Sequence, residues 1–145
     1  MAISRISESF RNIRSNIEFI ISKTKSSKVI LFTSSISGEG KTFCALNLAT
    51  LYAKSDKKTL LIGADLRKPK MFLSFSNSNE IGLSLYLSDK IQQTDKIIFD
   101  SHIKNLHYIP SGPLPPNPSE LVGSDKMKVL ISKLKEINKL PDHFK

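Results

Sequence analysis

The chain has 145 residues, of which 39% are hydrophobic and 24% charged, the composition of one soluble globular domain. Its longest uninterrupted apolar run is Val29-Ile30-Leu31-Phe32, far short of the roughly 20 residues that cross a bilayer, so no membrane span is expected. The net charge is +9, and residues 1–75 carry 13 Lys/Arg against 5 Asp/Glu, an imbalance that would attract a phosphate-rich ligand, an anionic membrane surface or nucleic acid.

Taken in chain order, residues 7–22 come first. Phe10, Ile13, Ile17, Ile20 and Ile21 recur there at helical spacing, with Glu8, Arg11, Arg14 and Glu18 on one flank, which predicts an amphipathic helix with a charged stripe. Residues 23–28 are polar and turn-rich. Residues 29–33 (VILFT) then read as a short strand apolar on both faces, the kind found in the buried middle of a parallel sheet. A Ser/Gly loop over residues 34–40 leads into a predicted helix at 41–54, with Phe43, Leu46, Leu48, Ala49 and Tyr52 able to face a core. Residues 59–62 (TLLI) are a second strand, ending at Gly63-Ala64-Asp65. Strand, helix and strand in about 35 residues make a βαβ unit with a parallel, right-handed connection.

Beyond Pro69 the spacing predicts a helical turn at 82–88, a third short strand at 106–109, a proline-rich loop at 110–118 and a helix over 124–140. Met127, Leu130, Leu134 and Ile137 of that last helix would lie inside and five lysines outside. No internal repeat and no long linker divides the chain. One domain over residues 1–145 is therefore expected, with a nucleotide-binding core from residue 28 onward.

The chemistry concentrates in residues 35–42, Ser-Ile-Ser-Gly-Glu-Gly-Lys-Thr. This segment matches the phosphate-loop pattern G-x-x-x-x-G-K-[ST] except at its first position, which is Ser35. Glycines at 38 and 40 let successive N–H groups turn toward a phosphate, and the helix that starts there offers its positive end to the same anion. Lys41 would reach the β- and γ-phosphates, and the Thr42 hydroxyl would take one position on Mg²⁺. Asp65, at the carboxyl end of the second strand, stands where ligands bind at a parallel sheet and could approach that metal; a turn-starting surface aspartate is the alternative. Cys44 reads as a small core residue. A single cysteine allows neither an internal disulfide nor a structural zinc site and suits the cytoplasm. His102, His107 and His143 have no partner at metal spacing.

Several segments then occur in an order that resembles the bacterial tyrosine kinases of capsule and exopolysaccharide synthesis. They are Glu8 to Ile17 (ESFRNIRSNI), the phosphate loop, Leu60 to Pro69 (LLIGADLRKP), Gly82 to Leu87 (GLSLYL) and Ile109 to Leu121 (IPSGPLPPNPSEL). Ile36 stands where related partitioning and division-site ATPases carry a second lysine, which favours the kinase branch. The resemblance implies a parallel α/β P-loop domain that binds ATP and Mg²⁺. It implies that Ser37, Gly38, Glu39, Gly40, Lys41, Thr42 and Phe43 hold the nucleotide, that Thr42 and Asp65 hold the metal, and that Lys41 and Asp65 take part in catalysis. It further implies autophosphorylation on a tyrosine cluster, protein tyrosine substrates, a transmembrane polysaccharide co-polymerase as partner, and a ring of subunits joined through Glu8, Arg11 and Arg14. A cytoplasmic location against the inner face of the plasma membrane follows, with nucleic acid not expected as a partner.

The family motif D-x-D-x-R has Gly63 at its first aspartate here. The apolar strand ending in aspartate and the tyrosine cluster that the resemblance implies do not occur before Lys145, so the fold is expected to be incomplete at its C-terminus. Residues 97–100 (IIFD) imitate that strand but precede the proline-rich block and read as a connecting segment. Tyr52, Tyr86 and Tyr108 read as core or strand positions. Two alternatives stay open: an inactive nucleotide-binding interaction module of the same family, which Gly63 favours, and a partitioning-type ATPase.

Overall fold

The computed structural model describes residues 2–21, 27–33, 40–67 and 78–136. Their element order is α1 (Ala2–Ile21), α2 (Lys41–Lys54), β1 (Thr59–Ile62), α3 (Leu83–Leu87), a 3₁₀ turn (Thr94–Lys96), β2 (Phe99–Asp100), β3 (Leu106–Ile109), α4 (Pro118–Val122) and α5 (Asp125–Glu136). The strands form one sheet in the order β1-β3-β2. β1 runs parallel to β3, pairing Thr59 with Leu106 and Ile62 with Ile109, while β2 runs antiparallel to β3 and pairs Asp100 with His107.

Side-chain alternation along the strands divides the core into two. Leu60 and Ile62 of β1 face the larger cluster, which holds Leu66, Leu83, Tyr86, Ile97, Ile109 and Leu130 under α3, α4 and α5. Leu61 faces the other side, where Ala49 and Ala53 of α2 meet Leu106. α2 thus covers one face of the sheet, and α1 packs on α2 outside it. The expected strands at 59–62 and 106–109 form at those bounds, and the third strand is the central one. The predicted helical turn is α3, and α5 buries Leu130 fully with Met127 and Leu134 packed beside it. Ile137 lies outside the described residues.

Four expectations change. α1 begins at Ala2 rather than Ser7, since nothing in Ala2-Ile3-Ser4-Arg5 breaks a helix. Its apolar stripe is only partly used: Phe10 is buried, Ile13 and Ile20 are exposed. Residues 29–33 take no part in the sheet, and Val29, Ile30 and Leu31 are 56%, 40% and 79% exposed. A run apolar on both faces is held as a strand only by neighbours on its edges and layers on its faces, and no described strand pairs with it. The parallel connection present is therefore the one from β1 to β3. Phe43 of α2 turns outward from the sheet and sets its ring at 62° to that of Phe10 of α1, centroids 6.0 Å apart.

Residues 97–100 are not the start of a parallel strand. Phe99 and Asp100 form the antiparallel edge, the Phe99 ring stacks on Tyr108, and the Asp100 carboxylate lies 2.7 Å from His107 Nε2. Tyr86 and Tyr108 are buried core and strand residues, as their positions suggest. Tyr52 sits between α1 and α2, and its hydroxyl is buried without a hydrogen-bond partner among the described residues. That burial raises its pKa, Glu18 adding to the effect and Arg14 opposing it. A phenol whose folded value lies above its unfolded value of about 10 contributes stability that is whole below pH 10 and is lost as pH rises through the folded value. Removing an unpaired buried hydroxyl is neutral or favourable by about 1 kcal/mol. Tyr52→Phe should therefore melt no lower than the parent at neutral pH and show a smaller alkaline loss. Paired melts at pH 7 and above pH 10 test this, and a lower neutral melting temperature in the variant would contradict it.

Candidate functional site

The site lies at the carboxyl edge of the parallel pair β1 and β3. Beyond Ile62 the chain stays in register for one more residue, Gly63 donating its N–H to Ile109 O at 2.8 Å, and then leaves the sheet through Ala64 and Asp65. β3 ends at the same edge and continues into the proline-rich block. That block is well anchored: Leu83 and Ser84 donate their N–H groups to Pro110 O and Ser111 O, and the Ser84 hydroxyl donates to Pro113 O. Pro118 begins α4, at the helical position where a missing N–H costs nothing.

Gly40 caps α2 in the left-handed conformation, φ 80° and ψ 19°, which favours glycine and aims the chain into the helix. Among the described residues no side chain caps the first turn of α2. Its leading N–H groups and the positive end of its dipole therefore remain available to an anion. Lys41 is the first helical residue, and its Nζ lies 3.6 Å from Asp65 Oδ2. Both side chains are about one-third exposed or more, at 35% and 41%, so this pair contributes little to stability and exchanges readily for a ligand. Asp65 Oδ1 also accepts the Arg67 N–H at 3.2 Å, the local turn an aspartate makes when it leaves a strand.

Folding thus sets Asp65 beside Lys41, which follows Gly40 and precedes Thr42 at the start of α2. Thr42 is half-buried one residue into the helix, while Phe43 points toward α1. Ser37, Gly38 and Glu39 lie outside the described residues. A lysine beside a carboxylate, next to a hydroxyl and an uncapped helix start, is a donor set that fits a phosphate carrying a divalent cation. Arg67 is the residue that sequence reasoning left out of the site. Its guanidinium bonds the hydroxyl of Ser119 and so ties the Asp65 turn to the proline-rich block and α4. The signal was its place two residues after Asp65, where a backbone N–H can reach the carboxylate.

The charged stripe of α1 divides. Glu8 and Arg11 are exposed, whereas Arg14 turns onto the end of α2 and donates from Nη1 to the Ser55 hydroxyl. An apolar cavity of about 260 Å³ between α1, residues 32–33 and α2 is bordered by Phe10, Ile13, Phe32, Cys44 and Leu48. Cys44 is a free, half-buried thiol there. Among the described residues no cluster of His, Cys, Asp or Glu could hold a metal alone, and no helix is long and apolar enough to cross a membrane.

A family model described as the CobQ/CobB/MinD/ParA nucleotide binding domain matches residues 30–143. Tyrosine-protein kinase YwqD of Bacillus subtilis (strain 168) is 44% identical over 124 residues, which are 86% of this chain and 52% of that protein. Tyrosine-protein kinase CpsD of Streptococcus agalactiae is 37% identical over 131 residues, 90% of this chain and 56% of CpsD. The kinase domain of Escherichia coli tyrosine kinase ETK superposes with a TM-score of 0.83 at 35% identity, over 90% of this chain and 50% of that one. The chain spans about half the length of YwqD and CpsD and 17% of tyrosine-protein kinase etk of Escherichia coli (strain K12). With a phosphate-loop sequence leading into a helix at the carboxyl edge of a parallel pair of strands, the chain belongs to the CobQ/CobB/MinD/ParA family of nucleotide-binding domains, and the relatives it resembles there are bacterial tyrosine kinases.

Proposed function

We propose that this chain forms the nucleotide-binding part of a bacterial protein-tyrosine kinase that controls surface polysaccharide synthesis or export, with Mg-ATP as its phosphoryl donor. The observation that carries this is the Lys41–Asp65 pair, an ammonium and a carboxylate 3.6 Å apart at the uncapped start of α2. When nucleotide binds, Lys41 would exchange the carboxylate for the β- and γ-phosphates, and the backbone N–H groups of Ser37, Gly38, Glu39, Gly40 and Phe43 would meet them, the Phe43 ring staying against α1. Asp65, released from Lys41, and the Thr42 hydroxyl are the residues that would hold Mg²⁺, which supplies neutralisation of phosphate charge. Phosphoryl transfer of this kind depends on positioning and charge, so Lys41 and Asp65 are the residues assigned to it. Substrate tyrosines, a transmembrane co-polymerase partner and a ring built through Glu8 and Arg11 belong to the same proposal. Arg14 holds α1 to α2 and serves that ring by fixing the helix that presents the other two.

Gly63 favours a second version, in which the same site binds nucleotide without transferring phosphate. Nucleotide titration with and without Mg²⁺ tests the shared site. Mg²⁺ should raise ATP affinity in the parent, and Asp65→Asn should remove most of that increment while leaving metal-free binding equal or tighter, because Lys41 no longer has a carboxylate to leave. An undiminished Mg²⁺ increment in Asp65→Asn would take the metal away from Asp65. Phosphotyrosine formed from labelled ATP by the complete protein separates the kinase from the inactive module.

A further inference from the structure

The turn that carries Asp65 is held on both sides of that residue. Before it, Gly63 donates its N–H to Ile109 O at 2.8 Å. After it, the Leu66 side chain sinks into the larger core cluster, and the Arg67 guanidinium bonds the Ser119 hydroxyl in the first turn of α4. The Arg67 N–H also donates to Asp65 Oδ1 at 3.2 Å, while Oδ2 of the same carboxylate stands 3.6 Å from Lys41. Arg67 therefore orients the carboxylate with its main chain and is itself fixed through its side chain.

Ser119 is a fixed anchor. α4 buries Leu121 in the same core cluster as Leu66, and the Ser119 carbonyl accepts the Gly123 N–H at 3.1 Å. The proline-rich block leading into α4 is tied down in turn, since Asn79 Nδ2 donates to Gly112 O and the Gly112 N–H donates to Asn79 Oδ1, each at 2.9 Å. The partner that Arg67 takes is informative. Glu120 stands next to Ser119, yet its carboxylate accepts from the Asn117 amide at 3.3 Å, and among the described residues Arg67 is in no ion pair. A guanidinium kept for charge pairing would take the carboxylate, whereas one that meets a neutral hydroxyl serves geometry.

We propose that Arg67 and Ser119 are positioning residues for the Asp65 carboxylate, tying its orientation to α4. The inference rests on the reading that Asp65 and Thr42 would hold Mg²⁺ beside a nucleotide phosphate. When Lys41 leaves Asp65 for the phosphates, the carboxylate loses one of its holds, and the Arg67 N–H on Oδ1 keeps it from swinging into water. Without the guanidinium, residue 67 is released from α4 and that N–H no longer stands at a fixed place. Groups that orient a metal ligand are typically worth about 10–100-fold in metal affinity, and an anchor one bond further out is worth less. A bond between two exposed groups adds little to stability, so the link can matter to the site and hardly to the fold.

Calorimetric titration of the complete protein with ATP, with and without Mg²⁺, tests it. Arg67→Ala should cut the gain in affinity that Mg²⁺ gives about tenfold and Ser119→Ala about threefold, with metal-free affinity unchanged and a melt close to the parent's. Ser119→Thr keeps the hydroxyl and should restore the parent gain, and Glu120→Gln should alter it by less than about twofold. Where Arg67→Ala melts early, the pair Ser119→Ala and Ser119→Thr carries the test. In an Asp65→Asn background Arg67→Ala should have no further effect, because the carboxylate it orients is gone. An undiminished gain in Asp65→Asn would take the metal away from Asp65 and overturn both the site reading and this proposal. Loss of the gain in Asp65→Asn, with the full gain kept in Arg67→Ala and Ser119→Ala, would overturn the positioning role alone. A fall in metal-free affinity in Arg67→Ala would overturn it as well, and would assign Arg67 to the phosphates.

Discussion

Replacing Gly82 with alanine is expected to lower the melting temperature by about 10 °C. A Cβ at residue 82 would stand 2.2 Å from Pro110 O and 2.5 Å from the Gly112 nitrogen, both backbone atoms that no rotamer change can move. The neighbouring hydrogen bonds, Leu83 N–H to Pro110 O and Ser84 N–H to Ser111 O, are 2.8 Å each and hold the two segments together. The methyl must break them or shift β3, whose last residue, Ile109, is fully buried. Overpacking of this kind costs about 2–4 kcal/mol. The requirement is close approach and not backbone freedom, since φ at Gly82 is extended. Gly123→Ala is the control, because its Cβ would make only an ordinary 3.4 Å contact with Ser119 O. If the two alanine variants melt together, the packing of 82 against 110–112 does not hold as described.

The positions that sequence reasoning found are those set by local chemistry. β1 and β3 are short apolar runs bounded by turn residues. α3 and α5 repeat their apolar residues at helical spacing. Gly40 precedes a helix whose first side chain is the phosphate-loop lysine. Asp65 follows from the rule that ligands gather at the carboxyl edge of parallel strands, which set it near a metal on Thr42; its contact with Lys41, 24 residues earlier in the sequence, comes from the fold alone. Residues 29–33 mark the limit. Their apolar pattern states that they need cover on every side, but which strand supplies it depends on pairing elsewhere in the chain, and pattern alone does not contain that information. The charged stripe on α1 is similar: spacing places Glu8, Arg11 and Arg14 on one flank, and the bond of Arg14 to Ser55 arises only because α2 packs there. Arg67 was hidden because its role depends on Ser119, 52 residues later.

Lys41→Ala should weaken ATP or ADP binding about ten- to a hundredfold, since a charge-assisted contact to a phosphate is worth about 1.5–3 kcal/mol. The same change should hardly alter stability. Lys41 is more than one-third exposed, and its pair with Asp65 is of the partly solvated kind that contributes at most about 1 kcal/mol. Its main-chain place at the start of α2 suits alanine, the best helix former. Binding and folding therefore separate at this residue, which distinguishes a lysine kept for a ligand from one kept for the fold. Loss of the ammonium also removes a cation that competes with the metal for Asp65, so the variant should retain a larger share of whatever metal dependence the parent shows. Calorimetric titration alongside a thermal melt reads both quantities. Equal nucleotide affinity in parent and variant would remove Lys41 from the phosphate site, and a large fall in melting temperature with affinity preserved would make the Lys41–Asp65 pair a structural contact instead.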